Sequence, residues 1–170
     1  MQTIGVIVAG GKSRRMGRDK AAIIFEGQTL LDRAVTLLRA SAPDQIIILG
    51  RPAHKYGIED PLPDAGPAAN LTTWINKQPL PLRLTVLPVD MPLLTSEQLQ
   101  ALEACPKGAF FEDLYLPLTA TIREPISDQV VRMKDLLRAL DLQAIPVQKT
   151  WQKALTNFNS ANDIDTLLGG

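Results

Sequence analysis

Several residue types are almost missing from this chain. Cys105 is the only cysteine and His54 the only histidine. No disulfide can close within the chain, and neither a cysteine zinc site nor a histidine-rich metal site can be assembled. One histidine also argues against a His-based triad, and His54 reads as a solvated loop residue. A reducing, cytoplasmic setting fits. No apolar run approaches the ~20 residues of a membrane span. The first residues, Met-Gln-Thr-Ile-Gly, lack the basic region of a signal peptide. There is no excess of charge of either sign: Lys+Arg and Asp+Glu count 18 each. General nucleic-acid binding calls for a basic face on a basic domain, so it is not expected. Repeats and low-complexity segments are missing too. What remains is 45% apolar and 21% charged over 170 residues, which suits one domain with a real core spanning residues 1–170.

Against that neutral background one stretch stands out. Residues 4–8 form an apolar, mostly β-branched run. It breaks into Gly10-Gly11, and Gly17 follows. Lys12, Arg14, Arg15, Arg18 and Lys20 then place five cations in nine positions, with Asp19 the one acid. A buried strand feeding a glycine turn frees backbone N–H groups and allows close approach of a ligand. With five cations added, the natural guest is a polyanion of phosphate size. The plainer reading is a cationic surface turn after a first strand. Two familiar phosphate loops do not apply. A P-loop ending in Gly11-Lys12-Ser13 needs a glycine where Val6 stands, and no G-x-G-x-x-G occurs.

The rest of the chain alternates. Residues 4–9 read as a central strand buried on both faces. Glu26-Gly27-Gln28 is a turn, and Thr29 caps a helix carrying Leu30, Leu31, Ala34, Val35, Leu37 and Leu38 at helical spacing. Residues 45–49 are a second buried strand. The β-loop-α-β order implies a parallel sheet with a right-handed crossover. Residues 50–64 are irregular, with a short strand at 58–60. Gly66-Pro67 opens a helix reaching residue 74 or 77. Residues 82–89 form a third strong strand. Thr95 and Gln98 form a capping box for a helix ending at residue 104. Strands follow at 110–111 and 115–122, the latter irregular or at an edge because of Pro117. An amphipathic helix spans 127–140, with Val130, Val131, Leu136, Leu137 and Leu140 inward. A strand at 143–147 and a final helix, capped by Ser160 and running to residue 168, complete the chain. The fold class is α/β: a three-layer α/β/α, Rossmann-like domain with a mostly parallel sheet.

Ligands of such sheets sit outside the carboxyl ends of the strands. The glycine loop and Asp90 both fall at such ends, hence on one rim. A nucleoside triphosphate needs its charge neutralised, and magnesium takes one or two protein carboxylates plus phosphate oxygens and water. Asp90, followed by Met91-Pro92, is the first candidate ligand; the alternative is an aspartate that organises its turn. Asp60 is a second acidic candidate, in a loop whose carboxylates could equally be solvated.

Ala9-Gly10-Gly11-Lys12-Ser13-Arg14-Arg15-Met16-Gly17-Arg18-Asp19-Lys20 resembles the signature loop of the MobA-like nucleotidyltransferases. The likeness extends along nearly the whole chain. The family's nucleoside-contacting Asp falls on Asp60, and its Cys-Asp-x-Pro on Val89-Asp90-Met91-Pro92. Its Gly-Pro-Leu-Ala-Gly helix start falls on Gly66-Pro67-Ala68-Ala69-Asn70. Its Asn-x-Asn near a pterin site falls on Asn157-Phe158-Asn159.

The resemblance implies a nucleotide-diphospho-sugar transferase fold and transfer of GMP from GTP to the terminal phosphate of molybdopterin or Mo-molybdopterin. Pyrophosphate is released, magnesium is the cofactor, and molybdoenzymes or their chaperones are further partners. It implies catalytic roles for Arg15, Lys20 and Asp90, with Asp90 holding the metal. It implies substrate contacts from Val8, Ala9, Gly10, Gly11, Lys20, Asp60, Asp90, Asn157 and Asn159. Three positions depart from the pattern. Leu49 stands where an Asn helps read guanine, Asn70 replaces a glycine, and Val89 replaces the usual Cys. The first two leave open a related enzyme using CTP or a sugar-phosphate acceptor. A catalytically silent nucleotide-binding homologue is the other alternative.

Overall fold

The computed structural model of the chain describes residues 1–9, 19–158 and 163. Its centre is a seven-stranded sheet whose strands are drawn from residues 2 to 145: β1 (Gln2–Val8), β4 (Gln45–Leu49), β5 (Gly57–Ile58), β6 (Leu82–Pro88), β7 (Gly108–Phe111), β8 (Leu118–Ile122) and β9 (Gln143–Ile145). A separate two-stranded hairpin pairs β2 (Ile24–Phe25) with β3 (Gln28–Thr29). The helices are α1 (Leu30–Ala40), α2 (Pro67–Ile75), α3 (Ser96–Glu103) and α4 (Met133–Ala139).

The strand order is β5-β4-β1-β6-β8-β7-β9. Only β8 runs against the others, since it is antiparallel to both β6 and β7 while β9 is parallel to β7. The sheet is therefore mostly parallel, as the β-α-β alternation predicts. From β1 the chain moves outward on one side to β4 and β5, then returns to β6 on β1's other side. That reversal of direction, between β1 and β6, is where such sheets open a crevice at their carboxyl ends.

β1 is apolar throughout because both of its faces are covered. Ile4 and Val6 turn to one side and pack with Ala68, Leu71, Trp74 and Ile75 of α2 and Met133, Leu136 and Leu137 of α4. Ile7 turns to the other and packs with Leu31, Ala34, Val35 and Leu38 of α1 and Leu99 of α3. Gly5 lies on this second face, where a Cβ would stand 3.0 Å from a Leu38 methyl. The glycine thus lets α1 settle closely on the strand. Each such buried aliphatic side chain contributes about 1.5–3 kcal/mol relative to exposure. The result is three layers, α2 and α4 below, α1 and α3 above.

The local signals act as expected at most ends. The Thr29 hydroxyl accepts from Asp32 N at 3.0 Å and caps α1. The Thr95 backbone N–H donates to Gln98 Oε1 at 2.9 Å at the start of α3. Gly66, at φ +88, is the N-cap of α2 with Pro67 at its first position.

Three expectations need correction. The helix read over 127–140 is only Met133–Ala139. Asp135 accepts from Arg132 N at 2.8 Å, which starts the helix there, and residues 127–132 are irregular. Val131 is accordingly exposed rather than inward, whereas Val130 is buried. The strand read over 115–122 begins only at Leu118, and β8 lies inside the sheet between β6 and β7. Pro117 precedes it and so removes no ladder hydrogen bond. Of the final helix read from Ser160, only residue 163 is described, and it is helical; the rest lies outside the described residues. Among the described residues, no helix is long and apolar enough to cross a membrane.

Candidate active site

The register of β1 on β6 sets the site. Val8 pairs with Pro88, so Ala9 and the segment Val89-Asp90 leave the sheet side by side at its carboxyl rim. A cleft of about 420 Å³ opens there, lined among others by Val8, Ala9, Lys20, Asp90, Tyr115 and Asn157. The residues named come from five parts of the chain: the end of β1, the turn that holds Lys20, the end of β6, the segment between β7 and β8, and the segment at Asn157.

Each polar group is held by local structure. Lys20 opens a single 3-10 turn, Lys20–Ala22, whose N-cap Asp19 accepts from Ala21 N at 3.2 Å. Ala21 is buried against α1, so the turn is packed onto the core. Lys20 Nζ stands 3.5 Å from Asp90 Oδ2, and both side chains are about one quarter exposed. The Asp90 turn is tied to α1 by Arg33, which donates to Pro92 O at 3.1 and 3.2 Å and lies 4.6 Å over the Phe25 ring. Asn157 reaches the cleft because its neighbour is anchored. Phe158 is fully buried, meets Phe25 edge-on at 5.8 Å, and donates its backbone N–H to Asp90 O at 2.6 Å.

The opposite wall is different in kind. Leu114, Tyr115, Leu116 and Met133 line it, with Asp113 beside them. Tyr115 is exposed. The cleft is therefore amphipathic, with Lys20, Asp90 and Asn157 facing a largely apolar wall.

Of the residues singled out in the sequence, the structure brings Val8, Ala9, Lys20, Asp90 and Asn157 to this one cleft. Gly10, Gly11, Arg15 and Asn159 lie outside the described residues. Asp60 follows β5, two strands out from β1, and is not among the described residues lining the cleft. Leu49 is buried in the core against α2, so it presents no group to the rim. Asn70 is also buried; it accepts from Leu62 N at 2.7 Å and donates to Gly66 O at 2.9 Å. Its amide fastens the loop before α2 to the start of that helix. Val89 is buried and packs on the α1 side of the sheet.

Sequence reasoning missed two features. One is the apolar wall at residues 114–116, whose place depends on β8 being inserted in the sheet. The other is Arg51, which donates through Nε to Ala9 O at 3.2 Å and pairs with both carboxylate oxygens of Asp19. The available signal was an arginine just past the end of the second strand, on the same rim as the glycine loop.

A mostly parallel sheet with a cation–carboxylate cleft at the reversal point of its strand order is the build of a nucleotide-binding α/β enzyme. The chain belongs to the MobA-like NTP transferase domain family, whose model matches residues 5–141, and it is a nucleotidyltransferase by that membership. It is 38% identical to a molybdenum cofactor guanylyltransferase of Xanthomonas euvesicatoria, over 72% of this chain and 68% of that protein. It is 34% identical to a probable molybdenum cofactor guanylyltransferase of Opitutus terrae, over 95% of this chain and 92% of that one. Its fold is shared by the molybdopterin-guanine dinucleotide biosynthesis protein A of Archaeoglobus fulgidus, at TM-score 0.61 and 17% identity, covering 96% of each chain.

Proposed function

We propose that the protein is a molybdenum cofactor guanylyltransferase, which transfers GMP from GTP to the terminal phosphate of molybdopterin or its molybdenum form. The observation that carries this reading is the convergence of Ala9, Lys20, Asp90 and Asn157 on one cleft at the β1/β6 rim. It is supported by relatives bearing that name at 38% and 34% identity.

The chemistry needs little covalent help. An oxygen of the acceptor phosphate attacks the α-phosphorus of GTP, the α–β bridging oxygen leaves with pyrophosphate, and a phosphoanhydride forms. Positioning and charge stabilisation lower the barrier. Lys20 binds phosphate oxygens and offsets charge that builds on the leaving pyrophosphate. Ala9 and Val8 form the floor on which the α-phosphate rests. Asn157 supplies an amide that donates to and accepts from the acceptor. Tyr115, Leu116 and Met133 offer a flat apolar surface for a ring.

Magnesium fits the donors present. Asp90 is a cleft carboxylate at a strand end, with Asp113 also on the lining. Among the described residues no group of three or more His, Cys, Asp or Glu is placed to hold a metal. A hard cation held by one carboxylate, substrate phosphates and water matches that donor set better than an all-protein cage does. Bound there, magnesium would draw charge from the phosphates and orient them. Asp90 would hold it.

Leu49 and Asn70 are both buried, so on this reading the base is met by other groups at the rim. The direct test is pyrophosphate release by the pure protein with magnesium and molybdopterin, given GTP, CTP or ATP in turn. GTP is expected to be used with at least about tenfold preference, since a site that hydrogen-bonds a base edge rejects analogues strongly. Equal or better use of CTP overturns the guanylyl assignment, and no release with any nucleotide overturns transfer itself.

A further inference from the structure

We infer that Arg51 is a positioning residue, which sets Lys20 at the cleft by bridging the end of β1 to the turn that carries Lys20. The inference rests on the proposed use of Lys20 as a phosphate-binding group.

The bridge is specific. Arg51 donates through Nε to the Ala9 carbonyl at 3.2 Å. Its two terminal nitrogens engage both oxygens of Asp19, the fork-to-fork arrangement that a lysine cannot reproduce. Asp19 then caps the Lys20–Ala22 turn through Ala21 N. From that turn Lys20 reaches to 3.5 Å from Asp90. One guanidinium therefore links the floor of the cleft to its cation. The Arg51 side chain is only 15% exposed and that of Asp19 36%, so the pair is shielded on the arginine's side alone.

Arg51 is itself held firmly. Gly50, at φ +79, turns the chain out of β4. The N–H groups of Gly50 and Arg51 both donate to Ile58 O, at 3.0 and 3.2 Å. His54 N donates to Arg51 O at 3.0 Å. Gly57 passes so near that a Cβ there would fall 1.5 Å from Arg51 O. A backbone fixed from three sides gives the guanidinium a fixed origin. Such a strut lowers the cost of holding Lys20 in its binding geometry, and small misplacements of such groups are expensive. The β4–β5 edge, which does not line the cleft, acquires a role in the reaction through this contact.

The test uses inorganic tripolyphosphate as the probe, titrated by calorimetry into the whole protein and four variants: Arg51→Lys, Asp19→Asn, Lys20→Ala and the Arg51→Lys/Lys20→Ala double. Circular dichroism confirms folding of each. Arg51→Lys keeps the charge and loses the fork; it is expected to weaken binding about tenfold. Asp19→Asn is the sharper variant, because deleting a negative charge near an anion site should tighten binding on charge alone. Positioning demands the opposite, a loss of similar size. In the Lys20→Ala background, Arg51→Lys should cost nothing further. Asp19→Asn binding as well as or better than wild type, a full additional loss in the double variant, or no tripolyphosphate binding by wild type would each overturn the inference. The proposed reaction is judged separately by GTP turnover. Coupling of Arg51 to Lys20 without turnover would spare the strut and sink the guanylyltransferase reading.

Discussion

The two rims of the sheet each hold a cation beside a carboxylate, yet they are built for opposite ends. At the amino rim both terminal nitrogens of Arg83 are engaged within the protein. It donates to the carbonyls of Pro106, Glu103 and Cys105, and to the Thr121 hydroxyl. Burial draws its pKa below the usual guanidinium range, an effect that nearby Glu103 opposes. A cavity of about 250 Å³ lies beside it, lined by Thr3, Gly5, Arg83 and Glu103. At the carboxyl rim Lys20 pairs with Asp90 within a larger cleft, and the neighbouring groups are strand ends rather than helix-end carbonyls. A cation whose hydrogen bonds go to backbone carbonyls and a hydroxyl closes a structure. A cation set opposite a carboxylate in an open cleft is placed to exchange partners with a ligand.

That contrast breaks most visibly at Asp90. Asp90→Asn should cut pyrophosphate release about 10²–10³-fold, the loss seen when one preorganised charge-stabilising group is removed. Its thermal midpoint should stay within a few degrees of wild type, because the side chain lies at the rim. Arg83→Ala should behave the other way round. It strands carbonyls that Arg83 now satisfies, so denaturant unfolding should show a loss of about 1–3 kcal/mol. Its KM for GTP should not change. If Arg83→Ala abolishes turnover in folded protein, the two rims are not functionally distinct. Asn157→Ala should be smaller again, raising KM for the acceptor about fivefold through loss of one hydrogen bond worth about 1 kcal/mol.

The smallest effect is on pH. The backbone and hydroxyl hydrogen bonds from Thr3 lower the pKa of Asp44, and the backbone N–H of Arg132 lowers that of Asp135. For carboxylates whose folded pKa is depressed, the stabilisation is present above the unfolded pKa and is lost as pH falls through the folded one. Asp44 is solvent-exposed, so its effect is modest. Asp44→Asn should flatten the acid limb of a stability profile below about pH 4 and leave neutral stability nearly unchanged; an unchanged acid limb contradicts the assignment.

Much of the rim was legible in the sequence because it follows from strand ends. The continuous apolar run of β1 fixed where Ala9 leaves the sheet, and the run of β6 did the same for Asp90. What stayed hidden depended on contacts distant along the chain. Nothing in residues 127–140 distinguishes an irregular stretch with a buried Val130 from a first helical turn, since both place an apolar residue inward. Asp60 carries the right charge, but its place after β5, the outermost strand on that side of the sheet, could not be read from its neighbours in sequence. Leu49 and Asn70 depart from the family pattern in sequence, and only the fold shows that Leu49 packs in the core and Asn70 fastens the loop before α2. Arg51 was passed over because its importance comes from Ala9 and Asp19, dozens of residues away in the chain.

The account stands on the carboxyl rim being where the nucleotide binds. The most direct measurement is a crystal structure of the protein with magnesium and a non-hydrolysable GTP analogue. The expected result is an α-phosphate between Ala9 and Asp90, with Lys20 on a phosphate oxygen. A nucleotide seated beside Arg83 and Glu103 at the opposite rim would contradict it.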